Sequence, residues 1–511
     1  MRNVNVVQFQ EFINKIRPRL SDVHVRREFY RLIAYNRDIA DGKGERKVTY
    51  MLLEALIIEG YGSEVIDMLK LFASAGFGYW GDLIHFYQLL ETNKSTASDD
   101  VKRSIINAFV YQIRNDERLV IQHKNKLKTN PLDDNIKTPS LSLAAKWIPS
   151  EGSKHDLVAF ELAKVMFPFK YDEGGIVMKS SVTKSLTRYR QLVVELRRHL
   201  DLVETKMSAN RWGEIEPSAV PAKTMKKHRK VFMNKKGSVD AGRVLLAEKL
   251  NLLLSGKTDK TIKTKGLQFY ELIKPYVDGG AFDDVLEVQA KTIIKEMQGL
   301  VKDGSFPLSV ALCDVSGSMS GVPMIVSIAL GILLANVMPA PWNGRVITFE
   351  SRPRWVDLNT RSSIYDQVRV LKDAPWGGST NFTAAVDLVL QQALASKNPK
   401  ESIPEFFFCF TDMQFDQASE RGTFVIDEVK RKFQDNGLVM PKLILWNLRA
   451  SGTNTFAADK DTKDVGILSG FSQSVFKAFM SGCNFELMTP MYLLKEALHV
   501  ARYDVIANCA K

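Results

Sequence analysis

From residue 301 onward, short apolar runs alternate with helical stretches, and that alternation admits few folds. SFPLSVALCDVS, GRVITFES, EFFFCFTDM and MPKLILWNL are rich in β-branched and aromatic residues and are bounded by Gly, Pro, Asp or Asn. Between them lie the 322–338 run, SIYDQVRVLKDA, TAAVDLVLQQALAS and FVIDEVKRKFQDNG, all with helical spacing. Strands separated by helices predict a parallel sheet covered on both faces, a doubly wound α/β domain over residues 301–511. Ligands of such sheets bind beyond the carboxyl ends of the strands.

Residues 1–300 have a different texture. FQEFINKIRPRL, VTYMLLEALIIEG, EVIDMLKLFASAG, DLIHFYQLLE and DVKRSIINAFVYQIRND repeat apolar residues at three- and four-residue spacing, with short Gly-, Asn- or Pro-containing breaks. The helices come in pairs, which predicts an all-α helical-repeat region of the α-solenoid type. No sequence repeat fixes a period, and no strand alternation stands out. KNKLKTNPLDDNIKTPS (124–140) is expected as a polar loop, and a second, basic interval runs from about 217 to 240.

The run Val322 to Pro341 is nearly long enough to span a bilayer. It follows directly on a polar loop and lacks flanking Lys/Arg anchors, so a central helix buried on all sides is expected and no membrane association. The amino-terminal stretch has no apolar signal-peptide core. Cys313, Cys409, Cys483 and Cys509 form no CxxC pair, and Cys313 and Cys409 sit inside apolar runs. Buried free thiols, and an intracellular, cytoplasmic compartment, follow as expectations.

The chain has 70 Lys+Arg against 58 Asp+Glu, a net charge of +12. Residues 301–511 hold 21 of each sign, so the whole excess, 49 basic against 37 acidic, lies in residues 1–300. A localised positive excess attracts polyanions, RNA or DNA first among them. A solvated basic surface gives the same count.

One constellation falls at the predicted strand ends. LSVALCD ends at Asp314, and the following loop gives Ser316 and Ser318 on alternate positions, with Gly317 easing the turn. One carboxylate and two hydroxyls are hard oxygen donors that suit Mg²⁺ first, with Mn²⁺ as the alternative. Gly377-Gly378-Ser379-Thr380 offers the Thr380 hydroxyl, and EFFFCFTD ends in a second carboxylate, Asp412. Singly, Thr380 is also a good helix cap and Asp412 a good strand-end turn residue. Together they lie at three strand ends of one predicted sheet.

DVSGSMSG, GGST and TDMQF resemble the metal-ion-dependent adhesion site of von Willebrand factor A domains. The resemblance implies that Ser316 and Ser318 ligate directly, Asp314 directly or through water, Thr380 in either way according to state, and Asp412 through water. It implies no catalysis, and an open coordination position filled by an acidic group of a protein partner. In the helical half, Arg37-Asp38-Ile39, Gly42-Lys43-Gly44-Glu45-Arg46, Phe77-Gly78-Tyr79-Trp80-Gly81-Asp82 and Leu143 to Glu151 resemble TROVE-type proteins. In those, a ring of HEAT-like helical repeats is joined to a von Willebrand A domain, which is Rossmann-like in fold. The Ro ribonucleoprotein autoantigen, which binds small and misfolded RNAs, is the known example. The similarity is closer still to a related family carrying a domain of unknown function, which shares these segments and the block from Met207 to Phe232. The loop departs from the pattern by placing Asp41 where a second Gly is usual.

The best residue-level candidate for RNA contact is Pro217 to Val239, which contains Lys223, Lys226, Lys227, Arg229, Lys230, Lys235 and Lys236 and no Asp or Glu. A helix entered after Pro221 would put Lys223, Lys226, Lys227 and Lys230 on one face, where like charges repel unless an anion is bound. Phosphate contacts of this kind give affinity without sequence readout. A solvated basic linker is the competing expectation. Lys43, Arg46 and Lys146 are weaker candidates, expected to pair with neighbouring acids. Ser255-Gly256-Lys257-Thr258 ends like a P-loop, but Asn251 stands where its first Gly belongs. The seven histidines show no catalytic or zinc spacing, so no enzymatic role is expected. A metal-dependent adhesion scaffold that binds no RNA is the rival expectation.

Overall fold

The computed structural model of the chain describes residues 6–74, 76–94, 98–130, 137–301, 307–349, 352–374, 382–412, 422–449, 462–471 and 489–511. Up to residue 301 these are helical apart from turns, loops and one isolated bridge, Tyr171 to Val177. Helices α1 (Val6–Ile16) and α2 (Val23–Arg37) open the chain, and the Asp22 side chain caps α2 by accepting from His24 N at 2.8 Å. After Arg37 the chain folds back, so that the amides of Lys43, Gly44 and Glu45 donate to the carbonyls of Tyr35, Asp38 and Asn36 at 2.9, 2.9 and 2.7 Å. A β-carbon on Gly42 would lie 2.1 Å from the Tyr35 carbonyl oxygen, so this turn requires glycine. The GKGER segment is therefore the cap that ends α2.

Helices α3 (Lys47–Ile58), α4 (Gly62–Ser74), α5 (Trp80–Thr92) and α6 (Asp99–Thr129) follow on short connections, each packing on the next. The polar interval expected as a loop from residue 124 is helical as far as Thr129. Lys and Leu are good helix formers, and lysines in a last turn oppose the negative end of the helix dipole. Helices α7 (Ala144–Trp147), α8 (Asp156–Met166) and α9 (Lys179–His199) pack back on α6. Around α10 (Val203–Ser208), α11 (Ala222–Phe232) and α12 (Ala241–Leu254) a separate small core forms from Trp212, Met225, Phe232, Leu246, Leu250 and Ile262. Helices α13 (Phe269–Val277) and α14 (Asp284–Val301) lead out of this layer.

The rest of the chain is an α/β region on a six-stranded mixed sheet in the order β3-β2-β1-β4-β5-β6. The strands are β1 (Ser309–Asp314), β2 (Arg345–Phe349), β3 (Arg354–Asp357), β4 (Phe406–Thr411), β5 (Lys442–Asn447) and β6 (Val465–Ser469). All neighbours pair parallel except β2 and β3, so the expected all-parallel sheet carries one antiparallel edge strand. β1 and β4 are buried at every position, as central strands covered on both faces should be.

The helices of this region are α15 (Val322–Val337), α16 (Ile364–Lys372), α17 (Phe382–Leu394), α18 (Pro399–Ser402) and α19 (Gly422–Asp435), then α20 (Pro490–Leu498) and α21 (Ala501–Ala507). Every residue of α15 from Met324 to Val337 is buried, under α13, α14 and α16 on one side and the sheet on the other. A β-carbon on Gly331 would meet Cys313 Sγ at 2.3 Å, which is how closely this helix rides on β1. Among the described residues no helix is long and apolar enough to cross a membrane.

The chain closes on itself. α20 packs between β6 and α2, and α21 packs on α2 and α4. Arg502 Nε meets Asp38 Oδ2 at 2.6 Å, Asp504 meets Arg31 at 2.8 Å, and the Tyr503 ring lies against Tyr35 and Phe77.

Candidate metal site and basic surface

The strand order places a topological switch point between β1 and β4. The chain leaves β1 toward β2 and β3, then returns to build β4, β5 and β6 on the other side. Loops diverge at such a point and leave a crevice beyond the carboxyl ends of the strands. Asp314 is the last residue of β1, and Asp412 follows the last residue of β4. Both are fully buried, while Ser316 is 7% exposed.

The loop after β1 is held by its own side chains. Asp314 Oδ1 accepts from the Ser316 amide at 2.9 Å, and Asp314 Oδ2 accepts from the Thr411 hydroxyl at 2.8 Å. A short 3-10 turn, Gly317–Met319, then brings Ser318 Oγ to 2.9 Å from Ser316 Oγ. Burial raises the Asp314 pKa; the Ser316 amide and hydroxyl and the Thr411 hydroxyl pull it down, and the charge of Asp412 pushes it up again. Two carboxylates within reach of each other's charge, out of water, are costly without a cation. Among the described residues no Lys or Arg forms an ion pair with Asp314.

Hard oxygens from Asp314, Ser316, Ser318 and Asp412 fit a divalent cation of the Mg²⁺ type. The structure thus brings together four of the five residues singled out in the sequence. Thr380, with the rest of GGST, lies outside the described residues, as do residues 413–421. No group of three or more His, Cys, Asp or Glu side chains converges among the described residues. Thr411 was not singled out in the sequence, although its place beside Asp412 was the available signal.

The basic tract divides in two. Lys223, Lys227, Lys230, Lys235 and Lys236 are exposed. Arg229 is turned inward, its Nε 2.8 Å from Asp283 Oδ2, where it fastens α11 to the start of α14. Lys226 is half-buried, and burial lowers its pKa despite the opposing pull of Glu271. The single four-lysine face expected from the spacing is therefore a three-lysine face, because Lys226 is half-buried within reach of Glu271 on α13. Lys235 has a loose partner in Asp284 at 3.8 Å.

The segments that carried the family resemblance in the helical half are joined by side-chain contacts around one buried ion pair. Arg37 pairs with Asp82 at 2.6 Å, with both side chains at most 2% exposed. Arg46 donates to Tyr79 Oη at 2.8 Å, and the Tyr79 and Trp147 rings lie 4.5 Å apart. Tyr189 donates to the Pro149 carbonyl at 2.6 Å. Lys146 reaches Glu204 at 3.2 Å, and Lys43 donates to Ser469 Oγ at 2.9 Å, at the carboxyl end of β6. Lys43, Arg46 and Lys146 are thus engaged within the chain, with Ser469, Tyr79 and Glu204.

A helical region joined to an α/β region with buried carboxylates at the switch point defines the class of protein. Residues 308–499 match a family described as a domain of unknown function (DUF7788), and residues 102–239 match a second domain of unknown function (DUF2828). Over 490 residues the chain is 34% identical to "Uncharacterized protein L728" of Acanthamoeba polyphaga mimivirus, covering 92% of this chain and 78% of that one. The chain belongs to the same family as this mimivirus protein.

The boundaries of the second match sharpen the charge distribution. Residues 102–239 hold 27 Lys+Arg against 14 Asp+Glu, while the remainder of the chain holds 43 against 44. One quarter of the chain carries the entire positive excess.

Proposed function

We propose that the chain is a non-enzymatic RNA-binding protein of Ro-like type. In this proposal the helical half is a HEAT-like, TROVE-like array that grips RNA. Residues 301–511 are a von Willebrand A-type domain whose metal engages an acidic protein partner. The observation that carries RNA binding is the confinement of the basic excess to residues 102–239, with Lys223, Lys227 and Lys230 exposed on one helix. Such a face supplies phosphate contacts and no base reading. Mg²⁺ at Asp314, Ser316, Ser318 and Asp412, with Thr380 completing the set, would supply a Lewis-acidic position for a partner's carboxylate. Buried free thiols at Cys313, Cys409 and Cys509 are in keeping with a reducing, cytoplasmic setting.

A second reading, an adhesion scaffold that binds no RNA, is favoured by one observation. The single aromatic of the tract, Phe232, is fully buried, so α11 offers no platform for stacking bases. Titration of the full chain with labelled single-stranded and structured RNA across a salt series separates the two. Binding that falls steeply with salt and weakens in a Lys223→Glu/Lys227→Glu/Lys230→Glu variant supports the RNA-binding protein. Salt-insensitive or undetectable binding supports the scaffold.

A further inference from the structure

The sequence directs attention to α11, but a second concentration of unpaired positive charge lies elsewhere in the fold. Helix α6 is 31 residues long, and its buried positions end at Val120. Every residue from Ile121 to Asn130 is exposed except the half-buried His123. The last turns therefore project past the bundle into water. A helix end without a buried face frays unless something fixes it. Here two contacts with α9 do so: Lys124 pairs with Glu195, and the His123 and His199 rings meet edge to face at 6.4 Å. The projecting end carries Lys126 and Lys128, and Arg198 lies exposed on α9 beside His199. These three cations make no ion pair among the described residues. The next carboxylates along the chain, Asp133 and Asp134, lie outside those residues.

We propose that the projecting end of α6 and Arg198 of α9 form a second phosphate-contact surface, by which one RNA strand is held in addition to its contact on α11. This rests on the proposal that the chain binds RNA. Three features favour a nucleic-acid backbone over an acidic protein segment. The charges stand on a helical continuation of the buried part of α6, and Lys126 and Lys128, two positions apart, point to different sides of it, which suits a strand that wraps the helix end. Gln122 and Asn125 stand exposed among them and can hydrogen-bond to phosphate or ribose oxygens. The two surfaces lie on different helices within the one stretch that carries the whole positive excess, an arrangement that suits a polymer long enough to visit both.

The test neutralises each surface in the full chain: Lys126→Gln/Lys128→Gln/Arg198→Gln, and separately Lys223→Gln/Lys227→Gln/Lys230→Gln. Thermal melting confirms folding, and single Lys126→Gln and Lys128→Gln variants serve if the triple variant melts early. Affinity for a long labelled single-stranded RNA is measured across a salt series, with labelled poly-glutamate run beside it. Loss of three phosphate contacts is expected to reduce the slope of log K against log salt by about 2 and to weaken binding about tenfold or more at physiological salt. The combined variant should lose more than either alone. A wild-type slope in the α6/α9 variant, with the α11 variant still impaired, overturns the second surface and leaves RNA binding standing. Loss of poly-glutamate binding with RNA binding intact overturns it in favour of an acidic protein segment. A wild-type chain that shows no salt-dependent RNA binding overturns the RNA-binding proposal itself.

Discussion

The Thr411 hydroxyl donates to Asp314 Oδ2 at 2.8 Å across the seam between β1 and β4, tying the two strand ends of the candidate metal site together. Groups that orient a ligand from behind typically alter metal affinity about 10- to 100-fold. Thr411→Val is expected to weaken Mg²⁺ and Mn²⁺ binding by that order, while Thr411→Ser retains it. Titration calorimetry on the purified chain reads both.

Asp314→Ala is expected to abolish Mg²⁺ and Mn²⁺ binding without unfolding the α/β region. The substitution removes one of two buried carboxylates that repel each other, so circular dichroism should show a retained fold. Unchanged metal affinity in calorimetry would sink the site.

Asp82 is the acceptor of the buried ion pair in the helical half. It receives Arg37 Nε at 3.0 Å and Nη2 at 2.6 Å, Tyr50 Oη at 2.5 Å and the Tyr79 amide at 2.9 Å. Asp82→Ala leaves a buried guanidinium without its carboxylate and is expected to cost about 3–5 kcal/mol in urea denaturation. Arg37→Met combined with Asp82→Leu should recover a large part of that loss, since no orphaned charge remains.

Asp38 is fully buried and receives Arg502 Nε at 2.6 Å and Tyr503 Oη at 3.2 Å. A double-mutant cycle on Asp38→Ala and Arg502→Ala is expected to return a coupling of about 1–3 kcal/mol. A coupling near zero would mean that apolar packing of Tyr503 alone seats α21.

Burial pushes the Cys313 thiol up to about 12 and the Cys509 thiol up to about 11, and Cys409 is raised too. At pH 8 these three are expected to resist a thiol reagent until denaturant is added. In each case the folded state holds the proton more tightly than the unfolded chain. Their contribution to stability is therefore complete below the ordinary thiol pKa and is lost as pH rises through the folded values. Melting temperature should accordingly decline with pH above about 9.

The central strands were legible because they are buried on both faces, and continuous apolar runs such as EFFFCF leave little choice of role. The two outer strands were not. Arg354–Asp357 is short, polar and partly exposed, and only its antiparallel pairing with Arg345–Thr348 makes it a strand. Val465–Ser469 adds itself to β5 by register rather than by composition. In the site, Asp314, Ser316, Ser318 and Asp412 could be named because each follows a readable strand end. Thr411 was hidden as one more strand residue, since its bond to Asp314 spans 97 positions. For the basic tract, helical spacing grouped Lys226 with its neighbours correctly along the helix. It could not tell which side of α11 would pack inward, and that packing half-buries Lys226 and turns Arg229 toward Asp283.

The seating of α21 on α2 has a consequence for biosynthesis. Arg502 and Asp38 lie 464 positions apart, and the aromatic side chains of Tyr35 and Phe77 are covered by Tyr503. At roughly 5–20 residues per second, a ribosome delivers the cover about 20 to 90 seconds after the surface it protects. Throughout that interval the nascent helical array presents an uncovered aromatic patch. A messenger truncated anywhere before Arg502 leaves it uncovered permanently, a signal that a chaperone or protease can read.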